Sequence, residues 1–166
     1  MDHSALGLSA IVAAPFGAVG VRVDDGLLVE LIYLRPGMAQ LEPRGRFAAR
    51  VARQIGRYLD DPDFVFDLPL APRGTAFQQR VWRAISDIPR GQVRSYGALA
   101  RALRTAPRAV GQACGANWFP LVIPCHRVVA AQGIGGFAGT AADSTEDAFS
   151  IDIKRWLLAH EGIAPN

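Results

Sequence analysis

The chain has 166 residues, 50% of them hydrophobic and 20% charged, which is enough apolar material for one sizeable domain or two small lobes and too much for global disorder. No apolar run approaches the roughly 18 residues of a membrane span, and the opening Met1-Asp2-His3-Ser4 lacks a signal peptide's basic start, so a cytoplasmic protein is expected. The net charge of +3 hides a split: residues 1–72 sum to −2 and 128–166 to −3, while 73–127 carry nine Arg against Asp87 alone, giving +8.

In chain order, Ala10–Ala14, 19–23 and Leu27–Leu34 read as β-strands, with Asp24-Asp25-Gly26 as a hairpin turn before the third. From 42 to 59 the spacing becomes helical, Phe47, Val51, Ile55 and Leu59 forming the apolar stripe and Arg46, Arg50, Arg53 and Arg57 lying off it. Residues 64–66 read as one more short strand. This first lobe, residues 1–72, is a small α/β unit without a catalytic constellation.

A Pro-containing connection leads into the second lobe, residues 73–166, which opens with the basic block. Thr75 is placed to cap a helix over Ala76–Ser86, Ser95 to cap another over Tyr96–Leu103, and Pro107 to stand at the first position of a third, from 108 to about 116. Short helices joined by tight turns in a basic region suggest a helix-turn-helix. The third has little side chain (Ala109, Gly111, Ala113, Cys114, Gly115, Ala116). Glycine costs roughly 1 kcal/mol inside a helix, so the two here need a reason. One is tight helix packing; another is close approach to a ligand as large as a nucleic-acid groove. The arginines suit bidentate phosphate recognition, with a solvated Arg-rich surface as the plainer alternative.

Pro124-Cys125-His126-Arg127 follows an apolar approach. A cysteine held by proline and followed by His and Arg is a candidate nucleophile, because nearby positive charge favours the thiolate. A buried structural cysteine is the alternative on these residues alone. With only two cysteines, Cys114 and Cys125, there is no disulfide scaffold, and both are expected as reduced thiols.

The ensemble resembles the O6-alkylguanine-DNA alkyltransferases, or methylated-DNA–protein-cysteine methyltransferases. The resemblance runs from about Gly74 to Gly162 through Phe77-Gln78, Val81-Trp82, Ile88-Pro89-Arg90-Gly91, Ser95-Tyr96-Gly97, Arg108-Ala109-Val110-Gly111, Asn117, the run from Pro124 to Val129, Gly135-Gly136-Phe137, and Lys154 to Glu161. It implies an α/β fold: a small ribonuclease-H-like sheet-plus-helix lobe, then a mainly helical, winged-helix or helix-turn-helix-like lobe that binds DNA and accepts the alkyl group. It implies direct-reversal repair, in which Cys125 irreversibly takes the alkyl group from O6-alkylguanine, and also from O4-alkylthymine, in one turnover. His126 acts through a water as base, Glu161 orients it, and Tyr96 donates to guanine N3.

The same resemblance makes Arg108 the finger that fills the space of the flipped base, and Asn117 the hinge. The carbonyls of Cys125 and Val128 accept from the guanine amino group, the Ala138 amide donates to O6, and Phe137 walls the pocket. The DNA face comprises Thr75, Gln78, Arg94, Ser95, Ala109, Gly111, Gln112 and Arg127, with the third helix in the minor groove. Arg127 has a second reading, tying the active-site turn to nearby carbonyls or acids. Double-stranded DNA carrying the lesion is the expected partner, and the protein a monomer without cofactor. No metal is expected, since the first lobe has only His3 among its Cys and His residues.

Departures from the family pattern are Trp118 after the hinge asparagine, where Pro is usual, Ala138 in place of Ser, and a longer polar segment at 140–152. Cys114 reads as a packed spectator, Trp82 and Trp156 as core, and His160 as exposed. The alternatives are a non-catalytic alkylated-base-binding protein, which Cys125 argues against, a transcriptional regulator, which the side-chain-poor helix argues against, and a cysteine hydrolase, for which no oxyanion hole is evident.

Overall fold

The structure, a computed structural model, describes residues 7–131, Gly133 and 145–163. Two compact units divide it, Met1–Pro72 and Arg73–Asn166. Among the described residues no helix is long and apolar enough to cross a membrane.

In the first unit, β1 (Ala10–Ala14), β2 (Gly17–Asp24) and β3 (Leu27–Leu34) form an antiparallel sheet in chain order. Asp25 and Gly26, both at positive φ, make the tight turn between β2 and β3. The register slips at Arg22/Val23, a bulge beside that turn. Helix α1 (Arg46–Asp60) packs on β1 and β2. Its buried face is Ala48, Val51, Ile55 and Tyr58, while Phe47 and Leu59 lie half-buried at its edges. A strict four-residue repeat overruns a 3.6-residue turn, so the stripe expected from Phe47 to Leu59 drifts off the sheet at both ends. The helix also starts at Arg46, after Gly45 at φ 96°, and not at 42.

Residues 64–66 do not form a strand. Phe66 packs on Tyr58 with ring centroids 5.5 Å apart, and Phe64 meets Phe66 edge-on at 5.6 Å. Gln54 holds Asp67 through both backbone groups, at 2.9 and 3.1 Å. With this segment anchored by side chains on α1, strand-like pairing occurs later, as a bridge between Leu70 and Leu28.

In the second unit, α2 (Ala76–Ser86) begins with a complete capping box: Gln78 N donates to Thr75 Oγ1 at 3.1 Å, and Thr75 N to Gln78 Oε1 at 3.0 Å. Buried Trp82 donates its indole N–H to Ala113 O at 2.8 Å, tying α2 to α4 (Pro107–Gly115). Gly74, at φ 84°, leaves room for that ring; a Cβ there would lie 2.5 Å from it. A two-residue β4 (Arg94–Ser95) pairs in parallel with β5 (Val128–Val129). It leads into α3 (Tyr96–Leu103), where Ser95 Oγ accepts from Ala98 N at 3.0 Å.

The C-terminal helix α5 (Thr145–His160) buries Ile153, Lys154, Leu157 and Leu158 and packs against the turn at Cys125–Arg127. Residues 145–152 of the polar segment therefore form its first half. Trp82 is core, but Trp156 is only half-buried and stacks on half-buried His160, centroids 4.7 Å apart. Position 156 lies beside the buried stripe of 153, 154, 157 and 158, not in it.

Thr75→Ala removes one half of the capping box. It is expected to lower stability by about 1 kcal/mol in denaturant unfolding, with Thr75→Asp restoring most of the loss.

Candidate active site

The chain from Asn117 to Val129 is built around one side chain. Asn117 donates its amide to Ile123 O at 3.0 Å and to Cys125 Sγ at 3.2 Å, while its Oδ1 accepts from Phe119 N at 2.8 Å and its backbone N–H reaches Cys114 O at 3.2 Å. Leu121, buried at φ 74°, bends the chain back. Pro124 at φ −82°, ψ 66° makes an inverse γ-turn closed by Cys125 N to Ile123 O at 2.8 Å. A single 3-10 turn, Cys125–Arg127, then presents the sulfur.

His126 and Glu161 are buried to 1% and 0% exposure and joined by Nε2 to Oε2 at 2.8 Å. A carboxylate accepting from Nε2 fixes the proton there and leaves the lone pair on Nδ1. That nitrogen is buried and meets no hydrogen-bond partner among the described residues. Burial pulls the His126 pKa below its ordinary value, against the raising effect of Glu161. The resting ring is thus neutral, as a base must be.

Arg127 corrects one expectation. It points inward, Nε to Glu161 Oε1 at 2.8 Å, Nη2 to Oε2 at 3.1 Å and Nη1 to Ile88 O at 2.6 Å. Its donors are engaged by a buried carboxylate and a carbonyl of the segment after α2, so it belongs to the structural reading and not to the DNA face.

The cation whose charge acts on the sulfur is Lys154, which is 0% exposed. Its Nζ donates to Val128 O at 2.7 Å and lies 5.8 Å from the Tyr96 ring centre. Burial lowers its pKa to about 8, while interaction with Cys114 and Cys125 raises it. The Val128 carbonyl expected to face the guanine amino group therefore has one lone pair already engaged. Burial pushes the Tyr96 phenol upward, so it stays a proton donor.

The two thiols are free and buried, within hydrogen-bonding reach of each other. Contact with Cys114 and burial push the Cys125 thiol well above its ordinary range, against the Asn117 amide and the Lys154 charge. The expected lowering by Arg127 is overturned, since that charge is directed to Glu161. Cys114 also stands closer to the site than a spectator on the far side of a helix would.

Arg108 and Gln112 are exposed on α4, and Ala109 and Gly111 half-buried. A Cβ on Gly111 would meet only Tyr96 Cε1, at 4.0 Å, an ordinary contact, so packing does not demand that glycine. Thr75 is exposed and Gln78 half-buried, both engaged in the cap, and Arg94 is exposed beside Ser95. Trp118 carries the Arg73 guanidinium 4.1 Å above its ring centre. Phe137 and Ala138, with Gly135, Gly136 and His3, lie outside the described residues. Among those described, no cluster of three His, Cys, Asp or Glu is placed to hold a metal ion.

Known proteins match this arrangement closely. Residues 76–163 match the family described as 6-O-methylguanine DNA methyltransferase, DNA binding domain. The methylated-DNA–protein-cysteine methyltransferase of Methanosarcina mazei is 33% identical over 91% of this chain and 94% of its own, and that of Mycolicibacterium paratuberculosis 36% over 90% and 89%. The regulatory protein ada of Salmonella typhimurium is 46% identical over 66% of this chain, which spans 31% of that longer protein. The Mycobacterium tuberculosis O6-methylguanine methyltransferase in complex with DNA superposes with a TM-score of 0.73 at 34% identity, covering 93% of each chain. The chain belongs to the 6-O-methylguanine DNA methyltransferase family.

Arg127→Met strands the buried carboxylate and is expected to cost about 3 kcal/mol in denaturant unfolding. An unchanged unfolding curve would return Arg127 to the DNA surface.

Proposed function

We propose that this chain repairs DNA by direct reversal, as a methylated-DNA–protein-cysteine methyltransferase that uses itself up in one turnover. The observation that carries the reading is the buried line Glu161–His126 ending in an unpartnered Nδ1, in the same turn as Cys125. The Cys125 proton passes through a water to Nδ1, and the imidazolium is stabilised by Glu161. The thiolate, assisted by the Asn117 amide and the Lys154 charge, attacks the alkyl carbon. An S–C bond forms as the C–O6 bond breaks, and the electron pair leaves on guanine, to which the Tyr96 phenol donates at N3. The thioether has no leaving group that water can displace, so the sulfur is not regenerated.

Duplex DNA is the partner, and the base must be flipped to reach a buried sulfur. Arg108 fills the space it leaves. Thr75, Gln78, Arg94, Ser95, Ala109, Gly111 and Gln112 form the DNA face. The half-buried Gly111, which packing does not require, supports close approach of a groove. Alkylthymine is a second substrate. The chemistry needs a free thiol, which fits the reducing cytoplasm. A protein that only binds the alkylated base would have no use for a nucleophile held by an asparagine amide.

Incubation with an O6-methylguanine duplex is expected to raise the intact mass by about 14 Da, on Cys125 in peptide maps. Label on Cys114 instead would overturn the assignment. Because the His126 pKa is depressed, the ring stays neutral through its ordinary range. Transfer at saturating duplex should therefore hold at neutral pH and fall only on acidification below about 6.5, the ordinary imidazole value. A loss already half complete at that pH would mean an unperturbed histidine.

Arg108→Ala is expected to slow transfer from duplex at least about tenfold, since base extrusion costs a few kcal/mol, and transfer from free O6-benzylguanine far less. Tyr96→Phe should slow both. Equal losses for Arg108→Ala would assign it to the fold of the site.

A further inference from the structure

The mechanism uses one sulfur, and the structure supplies two. Cys114 ends the buried face of α4 and Cys125 opens the turn, and both are free and buried. Asn117 connects them: its backbone N–H donates to Cys114 O at 3.2 Å and its side-chain amide to Cys125 Sγ at 3.2 Å. One residue thus gathers both cysteines, with the thiols in mutual hydrogen-bonding reach. Lys154, buried and held by Val128 O, adds a positive charge that acts on both sulfurs. Two buried thiols gathered by one asparagine and acted on by one cation are arranged for oxidation to a disulfide.

We propose that Cys114 is a resolving cysteine, closing a Cys114–Cys125 disulfide when the site meets a hydroperoxide and so holding Cys125 in a reversible, inactive form. One thiolate attacks the peroxide O–O bond, giving a sulfenic acid and releasing hydroxide. The second thiolate attacks that sulfur, the S–S bond forms and hydroxide leaves. With the two thiol protons counted, two thiols and one hydrogen peroxide give one disulfide and two waters. The sulfur is oxidised and the peroxide oxygen reduced. A dithiol returns both thiols. Without Cys114 the sulfenic acid has no neighbour and proceeds to sulfinic acid, which thiols do not reverse.

The consequence for activity rests on the proposed alkyl transfer to Cys125, but formation of the disulfide does not. Reduced full-length protein is treated with hydrogen peroxide, then analysed by intact mass and by transfer from an O6-methylguanine duplex before and after dithiothreitol. The wild type should lose about 2 Da, the two thiol hydrogens, and yield a cross-linked peptide pair containing Cys114 and Cys125. Its transfer should fall at least about tenfold and return with dithiothreitol.

Cys114→Ala and Cys114→Ser, each scored against its own untreated activity, should instead gain about 32 Da on Cys125 and stay inactive after reduction. Oxygen addition on Cys125 of the wild type with no loss of hydrogen, or a cross-link only between two chains, would overturn the proposal. A well-folded untreated protein that transfers no alkyl group would overturn the alkyl-transfer reading alone, since mass still reports the disulfide.

Discussion

A fully buried carboxylate is the feature on which the second unit depends. Taking Glu161 out of water costs several kcal/mol unless its lone pairs are matched. His126 Nε2 and two nitrogens of Arg127 match them, and Arg90 reaches the Glu161 backbone carbonyl at 3.3 Å. Through Arg127 and Ile88 O, the same cluster joins the segment after α2 to the end of α5 and to the reactive turn. The Arg127 guanidinium, paired with both carboxylate oxygens, balances the carboxylate and leaves His126 free to be neutral. The cluster therefore decides both that the turn is held and that the histidine next to the nucleophile is a base.

Burial acts against every charge the reaction needs. With the Cys114 contact it pushes the Cys125 thiol up, and by itself it pushes the Tyr96 phenol up and His126 and Lys154 down. For the phenol and the imidazole this agrees with their roles, as a donor that keeps its proton and a base that lacks one. For the sulfur it opposes the role, and the offset comes from two unlike sources: a fixed amide dipole on Asn117 and a buried ammonium on Lys154. Neither needs to reorganise when negative charge appears, which is where preorganised donors are most effective. A site of this kind holds its nucleophile protonated at rest and ionises it as the reaction proceeds.

What the sequence reveals here is local. The caps at Thr75 and Ser95, the proline opening α4 and the three β-favouring runs of the first unit are short-range chemistry, and all take their expected places. The misreadings are long-range. Arg127 stands 34 residues from Glu161, and nothing near it in the chain distinguishes an inward guanidinium from one facing phosphate. Residues 64–66 have strand-like composition, but side chains on α1 outcompete the sheet for them. Lys154 stands out as the sole lysine of the chain. Its bond to Val128 O depends on how α5 packs against the turn, which no spacing encodes. The Cys114–Cys125 contact is hidden for the same reason, because the ten residues between them, mostly irregular chain, reverse direction.

That reversal is what makes α4 more than a docking element. Two of its exposed residues, Arg108 and Gln112, belong to the proposed DNA face, while Val110, Ala113 and Cys114 are buried. Ala113 O receives the Trp82 indole, and Cys114 O receives the Asn117 backbone. The helix is thereby clamped on its inner side, and the residue whose backbone holds Cys114 O also carries the amide on the reactive sulfur. A load applied to the outer face by a bound duplex has little room to be absorbed in the helix. The residue joining helix to thiol is also the one that must remain an amide: an aspartate would offer Sγ no N–H and would place a carboxylate beside a forming thiolate. The chemistry of the sulfur and the placement of the helix meet in Asn117.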